Sequence, residues 1–347
     1  MLSAMRPSIP SAARLWLPAG AAFAVVALLV GAIVGPVHLG TLDVIRASFA
    51  HVFGLHSPLS GPDDAILWQI RLPRVILGAL VGGTLAAAGA AYQGVFRNPL
   101  ADPYLLGAAA GAGLGATLVV AYAPAGALTG DLLPISAFVG AAVAVVAAYV
   151  LGRSAAAAAG PAALVLAGVT IVSFFTALQT FVQQQHVDTV QEVYSWLLGR
   201  LTTAGWHEVG IVLPYAVAAW IVIIAHRRFL DVLAVGDDEA AALGVNVARV
   251  RLVIVIAATV GTAAAVAVSG LIGFVGIIVP HTIRLIVGSS YRLLLPLSVL
   301  VGAGFLVLAD VAARTVLSPA ELPIGVVTAF FGAPFFAVVL RTSRRAA

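Results

Sequence analysis

Two arginines, Arg71 and Arg74, are the residues whose type and spacing most directly suggest chemistry in this sequence. In a helix, a spacing of three puts both guanidinium groups on one face, and Pro73 between them is tolerated only in the first turn. Guanidinium groups bind carboxylates through charge-assisted hydrogen bonds, so the pair predicts a grip on acidic groups of a docking protein. The alternative is that both side chains extend from an apolar helix toward the membrane–water interface.

A second polar cluster follows an apolar stretch in the middle of the chain. Its members are Gln179, Gln183, Gln184, Gln185, His186 and Asp188. Because contact with lipid is costly for such side chains, we expect them to line a water-filled cavity or an outer gate. A plain polar loop after the end of a membrane span is the alternative.

Catalytic groups do not form a recognisable constellation in this sequence. The seven histidines show no ligand spacing of the His-Glu-x-x-His type, and there is no cysteine. All 18 basic residues are arginines, so a phosphate-binding loop ending in Lys-Ser or Lys-Thr is impossible. We therefore predict that the chain is not an enzyme, binds no metal or cofactor and does not itself hydrolyse ATP.

The composition is that of a membrane protein. The 347 residues are 62% hydrophobic and 9% charged, against roughly 25% charged in soluble domains. A sequence pI near 9.8 raises the question of nucleic acid, but the arginines stand at the ends of apolar runs, where membrane topology explains them better. We expect a lipid bilayer and no nucleic acid as partner.

Apolar runs long enough to span a bilayer predict an all-α, polytopic protein with ten transmembrane helices and one domain over residues 1–347. The runs lie at 15–34, 72–96, 104–122, 132–151, 162–182, 209–225, 252–271, 272–287, 293–311 and 325–340. The eighth is short, and Pro280 is expected to interrupt it. Since ten is even, both termini lie on one side.

The arginines assign that side. With the N-terminus inside, thirteen of the eighteen fall at cytoplasmic ends, which the positive-inside rule favours. This predicts a multi-pass protein of the inner (cytoplasmic) membrane with both termini cytoplasmic. Five arginines then lie outside and need another reason: Arg46, Arg71, Arg74, Arg200 and Arg314.

Residues 226–251 form a charged segment between two apolar runs. They hold four arginines and four acids, with a short helical pattern broken by Gly236 and Gly244. Buried charge has no partner in lipid, so we expect a structured cytoplasmic loop. Small residues followed by a glycine, from Glu239 to Gly244, suit close docking against another protein. An ordinary amphipathic loop helix is the alternative.

Glycines four apart predict close helix packing. Gly107, Gly111 and Gly115 stand on one face of the third run, and Gly78 and Gly82 do so in the second. Small residues at this spacing let helix backbones approach one another. They support a helical bundle and indicate no particular activity.

Several short motifs, in order along residues 69–336, resemble the permease family that imports iron-siderophores, haem and vitamin B12. The motifs are Gln69 to Arg74, Leu85 to Gly89 with Gln93, Arg97 to Pro103 with Leu106 and Gly107, Leu166 to Val169, Trp196 to Gly199, the loop described above, Gly273 to Gly276 with Pro280, His281 and Arg284, Glu321 to Gly325, and Gly332 to Phe335. Where the family often has Asp-His-Arg after Arg284, this chain has Ser290, Tyr291 and Arg292.

The resemblance implies a type II ABC importer. Two copies of a ten-helix permease would form the pathway, two cytoplasmic ABC ATPase subunits would bind ATP and Mg²⁺, and a periplasmic or extracellular binding protein would deliver substrate. The resemblance places Asp237, Asp238, Glu239, Ala240, Ala241, Leu243, Gly244 and Val245 in the ATPase cleft. It places Arg71, Arg74 and Arg314 against acidic residues of the binding protein, and Arg153 and Ser154 at the start of a cytoplasmic gate.

For the substrate we expect an iron chelate, either haem or a ferric siderophore, with cobalamin as the alternative. The scarcity of charge within the spans is consistent with a wide pathway without a tight site. An ATP-independent channel or secondary transporter and a membrane-embedded enzyme are the other classes considered.

Overall fold

In a computed structural model, which describes residues 13–124, 130–159, 162–202 and 204–343, every regular element is helical. The elements are α1 (Ala13–Ile33), α2 (Thr41–Phe53), α3 (Gly61–Ala65), a π-helical turn (Ile66–Arg71), α4 (Leu72–Val95), α5 (Ala108–Tyr122), α6 (Leu132–Ala159), α7 (Ala162–Gln185), a 3₁₀ turn (Val187–Thr189), α8 (Val190–Leu197), α9 (Trp206–Ala225), α10 (Arg227–Leu233), α11 (Asp237–Ala242), α12 (Val247–Ser269), α13 (Val275–Val287), α14 (Tyr291–Thr315) and α15 (Ile324–Ser343). The predicted all-α class is confirmed.

Ten apolar helices correspond to the ten predicted runs. Seven of them, α1, α4, α6, α7, α9, α12 and α14, are long and apolar enough to cross a membrane. Three are shorter: α5, α13 and the apolar part of α15. At about 1.5 Å per residue, the 13 residues of α13 extend about 20 Å, less than a bilayer core. That all ten cross the membrane therefore stays a prediction.

Helices α4 and α12 form the centre of the bundle. In their most apolar windows 89% and 78% of residues are buried, against 28–33% in α1, α6, α7 and α9. Both central helices are apolar on all sides and rich in alanine and glycine, as expected of helices surrounded by other helices. The four outer helices keep large apolar side chains exposed, as expected of a surface in contact with lipid.

Close helix contacts depend on glycine. A Cβ atom at Gly111 in α5 would overlap the carbonyl oxygen of Gly140 in α6, and one at Gly115 would overlap that of Ser136. Gly107 lies outside this face, because it precedes α5 in a left-handed conformation with φ +87°. Two of the three spaced glycines thus pack α5 on α6, and the third turns the chain into α5.

The chain between α12 and α13 leaves the helical path at Gly270 and re-enters it at Phe274. The Tyr104 hydroxyl donates to the Ile272 carbonyl at 3.0 Å and accepts from the Ile272 N–H at 3.2 Å. Irregular backbone at membrane depth is tolerated where the protein satisfies it in this way.

Pro280 does not interrupt α13, which corrects the sequence expectation. Proline lacks an N–H, so the carbonyl four residues earlier, that of Gly276, loses its helical partner. The side-chain amide of Gln93 donates to this oxygen at 3.1 Å. Since a side chain from α4 supplies the missing donor, the helix continues to Val287.

Candidate functional site: the outer arginine cluster and the charged segment

Arg71 and Arg314 bind the C-terminal end of α1. Arg71 donates to the carbonyls of Ala32, Ile33 and Val37 at 3.2, 3.1 and 2.7 Å. Arg314 donates to the carbonyl of Gly31 at 2.6 Å. The last carbonyls of a helix lack helical partners and carry partial negative charge, so cations are stabilising there. These contacts give Arg71 and Arg314, two of the five arginines predicted to lie outside, a structural role at the end of α1.

Arg74 joins α4 to α14 and to the segment before α15. Its guanidinium donates to both carboxylate oxygens of Asp310, at 2.9–3.1 Å, and to both oxygens of Glu321, at 2.9 Å each. The Asp310 side chain is 3% exposed and that of Glu321 is 31% exposed. Arg314 approaches the same Asp310 at 3.6 Å. Three arginines and two acids thus lie together in one cluster, the outer arginine cluster, in which Glu321 is the exposed member.

None of the three arginines lies at the surface, where sequence reasoning had placed them. Their exposed fractions are 4% for Arg71, 8% for Arg74 and 3% for Arg314. Arg74, together with Asp310 and Glu321, borders an open pocket of about 390 Å³ between α8, α14 and α15. A role in docking stays a prediction, and Arg74 is the arginine of the three that lines this pocket.

The charged segment 226–251 folds into two short helices, α10 and α11, followed by the first turn of α12. Gly244 ends α11 with φ +81°, and its N–H donates to the carbonyl of Ala241 at 2.9 Å. The N–H of Val245 returns to the carbonyl of Ala240 at 3.1 Å. A left-handed glycine just past a helix end is a common helix stop, as the sequence suggested.

Asp237 fixes α11 to the rest of the protein. Its carboxylate accepts from Arg251 at 3.1 Å and lies 3.3 Å from Arg97. Asp231 in α10 holds the start of α14, accepting from the Tyr291 N–H at 2.7 Å and the Ser290 hydroxyl at 3.2 Å. Asp231 and Asp237 therefore attach the charged segment to the helical bundle.

Apart from Asp237 and Ala240, the residues of α11 and the two that follow it face outward. Asp238, Glu239, Ala241, Leu243 and Gly244 are exposed, whereas Ala240 is fully buried and Val245 partly so. Two large apolar side chains that flank α11 are highly exposed: Leu243 is 71% exposed and Val235 is 70% exposed. A rigidly attached helix with an apolar, acidic tip is suited to enter a cleft in a partner.

The polar run near the end of α7 divides between two environments. Gln179 is buried against Gly113 of α5, and the amide nitrogen of Gln183 is buried without a hydrogen-bond partner. Gln184 is exposed, and His186 packs edge-on against Tyr122 with ring centroids 4.6 Å apart. Because α7 extends to Gln185, the run begins inside the helix and does not start a loop.

Arg153 and Ser154 lie near the end of α6, on the side of the charged segment. Both are exposed; the Arg153 guanidinium lies over the ring of Tyr149 at 5.9 Å, and the Ser154 hydroxyl donates to the Leu151 carbonyl. The rest of the predicted gate includes residues 160 and 161, which lie outside the described residues.

The loop between α4 and α5 contains a carboxyl group with a perturbed pKa. Burial raises the pKa of Asp102 to about 6, against a hydrogen bond from the Tyr104 N–H at 2.8 Å that favours the charged form. Asp102 holds the backbone of Tyr104, and the Tyr104 hydroxyl in turn contacts the backbone of Ile272. The loop therefore helps to position the irregular segment between α12 and α13.

Sequence reasoning missed Asp310 as the partner of Arg74 and Asp237 as a structural anchor. An aspartate four residues before Arg314, within an apolar run, was the available signal for the first. Asp237 carried no such signal, because Arg97 is far away in the sequence. Among the described residues no three His, Asp or Glu side chains assemble as metal ligands.

A bundle of apolar helices, with a rigid polar segment at one end and a charged cluster at the other, defines a multi-pass membrane protein. A family model described as the FecCD transport family matches residues 23–342. The chain belongs to this family, and it is an ABC transporter permease.

Curated relatives carry transport names. The chain is 40% identical over 333 residues to the uncharacterized ABC transporter permease protein YvrB of Bacillus subtilis, covering 94% of this chain and 93% of that one. It is 39% identical over 306 residues to the cobalamin import system permease protein BtuC of Halobacterium salinarum, covering 88% and 81%. It is 36% identical over 282 residues to the Fe(3+)-citrate import system permease protein YfmE of Bacillus subtilis, covering 81% and 84%.

A solved structure confirms the permease fold. It is described as an inward-facing conformation of a putative metal-chelate type ABC transporter, and it aligns with a TM-score of 0.80 at 29% identity over 94% of this chain and 98% of that chain.

Proposed function

We propose that this chain is half of a homodimeric permease that imports an iron chelate, haem or a ferric siderophore, through the inner membrane. A separate ATPase subunit supplies the energy, and a binding protein supplies the substrate. The observation that carries the proposal is α11: an exposed apolar and acidic tip fixed to the helical bundle through Asp237.

The tip would transmit the motion of the ATPase because it is attached to several helices at once. Asp237 joins it to α12 and to the loop after α4, and Asp231 joins α10 to α14. Closure of an ATP-bound ATPase pair would move these helices together, which is a ligand-driven shift between two arrangements. ATP and Mg²⁺ would stay on the ATPase.

The test is a Leu243→Asp variant, with Leu55→Asp as matched control. Both leucines are well exposed, and Leu55 lies in the loop after α2, at the opposite end of the bundle. We expect Leu243→Asp to lose copurification with the ATPase subunit of the transporter and Leu55→Asp to retain it. Equal retention in both variants would refute the coupling assignment.

Docking of the binding protein is proposed at the outer arginine cluster, through Arg74. A partner carboxylate would have to enter the open pocket and compete there with Glu321, which is the more exposed of the two acids on Arg74. Arg71 and Arg314 would hold the cluster in place. Glu321→Gln, which removes the competitor, should strengthen binding-protein association; unchanged or weaker association would count against docking at Arg74.

The homodimer has a direct test, since the chain has no cysteine. Exposed apolar side chains on α15, such as Phe330 at 76%, are available for a second copy. A Phe330→Cys variant should form a disulfide-linked dimer on mild oxidation, whereas Val26→Cys on α1, also exposed, should not. Cross-linking at both positions or at neither would contradict this interface.

The proposal of an iron chelate is supported by the metal-chelate description of the similar structure. Cobalamin stays the alternative because a relative with 39% identity is named a cobalamin import system permease protein. The ligand retained by the binding protein that associates with this chain decides between them. A retained corrinoid would overturn the iron assignment. Transport by the chain in liposomes without any ATPase would instead indicate a channel or secondary transporter.

A further inference from the structure

A basic pocket opens between α6, α7 and α12, beside the attachment of α11. Its volume is about 560 Å³, and its charged lining consists of Arg153, Arg249, Arg251 and Asp237. Three arginines against one aspartate leave an excess of positive charge. The single acid is already shared, because Asp237 also lies 3.3 Å from Arg97, a fourth arginine.

The cations of the basic pocket are poorly satisfied within the described residues. One terminal nitrogen of Arg251 donates to the Asp237 carboxylate, while the Nε of Arg251 is buried without a hydrogen-bond partner. Arg249 is exposed and forms no ion pair with a described residue, and Arg153 contacts only the ring of Tyr149. Guanidinium groups arranged in this way around an open space are suited to a phosphate, which accepts several charge-assisted hydrogen bonds at once.

The other wall of the basic pocket is apolar. Leu164 at the start of α7 is brought against α6 by Gly152, where a Cβ atom would lie 2.6 Å from the Leu164 side chain. Leu252 and the ring of Tyr149 complete this wall. Arginine and tyrosine at the ends of apolar helices are typical of the membrane interface. The pocket therefore combines a cationic rim with a floor suited to hydrocarbon.

An exposed apolar stripe leads away from the rim along α6. It consists of Val139, Val143, Val146 and Val150, each 51–62% exposed. Arg153 lies three residues after Val150 and seven after Val146, so it stands at the end of the same helix face. A headgroup phosphate at Arg153 would place its acyl chain along this stripe.

We propose that the basic pocket binds the phosphate of an anionic phospholipid, with an acyl chain against the valine stripe of α6. The charge excess and the adjoining apolar stripe together favour a lipid over a free anion. Basic pockets between membrane helices are known to hold anionic lipid headgroups. A phosphate bound there would share Arg251 with Asp237, and so would lie beside the attachment of α11.

The experiment measures lipid retained by the purified full-length chain. The protein is equilibrated in detergent with equal amounts of phosphatidylglycerol and phosphatidylcholine of matched chain length, and the bound lipid is counted by native mass spectrometry. The wild type should retain phosphatidylglycerol in preference. The double variant Arg153→Gln/Arg249→Gln should weaken this retention about thirtyfold, since each arginine near a lipid surface contributes about fivefold. Both side chains are exposed, so an unchanged melting temperature should confirm that the fold is intact.

Arg228→Gln is the matched control, because Arg228 is exposed on α10 of the same segment and lies outside the pocket. It should retain the wild-type preference. No preference for phosphatidylglycerol, or an equal loss in control and double variant, would overturn the proposal.

Two further arms separate the lipid from other anions. Val146→Ser/Val150→Ser should weaken retention of phosphatidylglycerol without changing the binding of inorganic phosphate. Complete displacement of the lipid by excess inorganic phosphate would show a simple ion site and overturn the lipid assignment. Protection of Arg153 and Arg249 from phenylglyoxal by the ATPase, and not by phosphatidylglycerol vesicles, would assign the pocket to a protein interface and also overturn it.

Discussion

Arg74 and Asp310 lie 236 positions apart, and the guanidinium of the first donates to both oxygens of the second inside the protein. This contact ties α4, the central helix, to α14. Glu321 adds a second, more exposed carboxylate to the same guanidinium. The buried ion pair and the proposed docking therefore depend on the same side chain, and variants must separate them.

Removing Arg74 should destabilise the protein strongly. Arg74→Ala leaves Asp310 buried and without its bidentate partner, which typically costs about 3–5 kcal/mol. Thermal unfolding in detergent measures this loss. Glu321→Gln, at a site one third exposed, should lower the melting temperature far less. Comparable losses from the two variants would contradict the buried pair as the dominant contact.

Replacing both Arg74 and Asp310 also tests whether the buried ion pair is the dominant contact of Arg74. Arg74→Met/Asp310→Leu removes both charges and should recover most of the stability lost in Arg74→Ala, because apolar replacements of a buried ion pair are often neutral. Failure to recover would mean that Asp310 is also required to balance Arg314, or that Arg74 acts mainly through Glu321.

Arg71 should stabilise the end of α1. Arg71→Met keeps an apolar chain and removes the donors to three carbonyls, at a cost of roughly 1–3 kcal/mol for the buried groups left unpaired. The melting temperature should fall. Arg46→Met on α2 is the control: that arginine is exposed and should tolerate the change. Similar melting temperatures for both variants would rule out a capping role.

Gly111→Ala should disrupt the contact between α5 and α6. The added methyl would overlap the Gly140 carbonyl, and overpacking of a tight interface costs about 1–3 kcal/mol. Gly210→Ala in α9 is the matched control, because open space surrounds that position and alanine favours helix by about 1 kcal/mol. The two variants should shift the melting temperature in opposite directions; a shift in the same direction would contradict the packing described.

Asp102 should make stability depend on pH. Its raised pKa means that the folded state binds the proton more tightly than the unfolded chain, so this contribution is present below the ordinary carboxyl pKa and is lost as pH rises through about 6. Asp102→Asn keeps the acceptor for the Tyr104 N–H and removes the charge. It should therefore be more stable than wild type at about pH 7.5, by up to about 2 kcal/mol, with little difference at about pH 4.

The measurement for Asp102 is a series of melting curves across this pH range. Asp238→Asn is the control, since Asp238 is exposed on α11 and should leave the wild-type pH dependence intact. If Asp102→Asn and wild type lose stability in parallel as the pH rises, another group is responsible.

The sequence predicted the positions of the helices well and the contacts between them poorly. Composition and run length were enough to place α1, α4 and α9 within a few residues, because a helix in lipid must satisfy its own backbone and be apolar along its length. Pro280 was expected to interrupt the eighth run, yet α13 continues through it, and Gln93 of α4 donates to the carbonyl that the proline leaves without a helical partner. Local rules fail where a distant residue supplies the missing hydrogen bond.

By itself, the sequence determined that this is a helical membrane protein with a charged segment between two apolar runs, because hydrophobicity and charge act locally along the chain. Only the tertiary structure decided what the charges do. Arg71, Arg74 and Arg314 read as surface groups in the sequence and are buried, since their partners, the end of α1, Asp310 and Glu321, come from distant parts of the chain. A charged side chain is stable inside the protein only when it is paired with such partners. The sequence does not show which distant residues form these pairs.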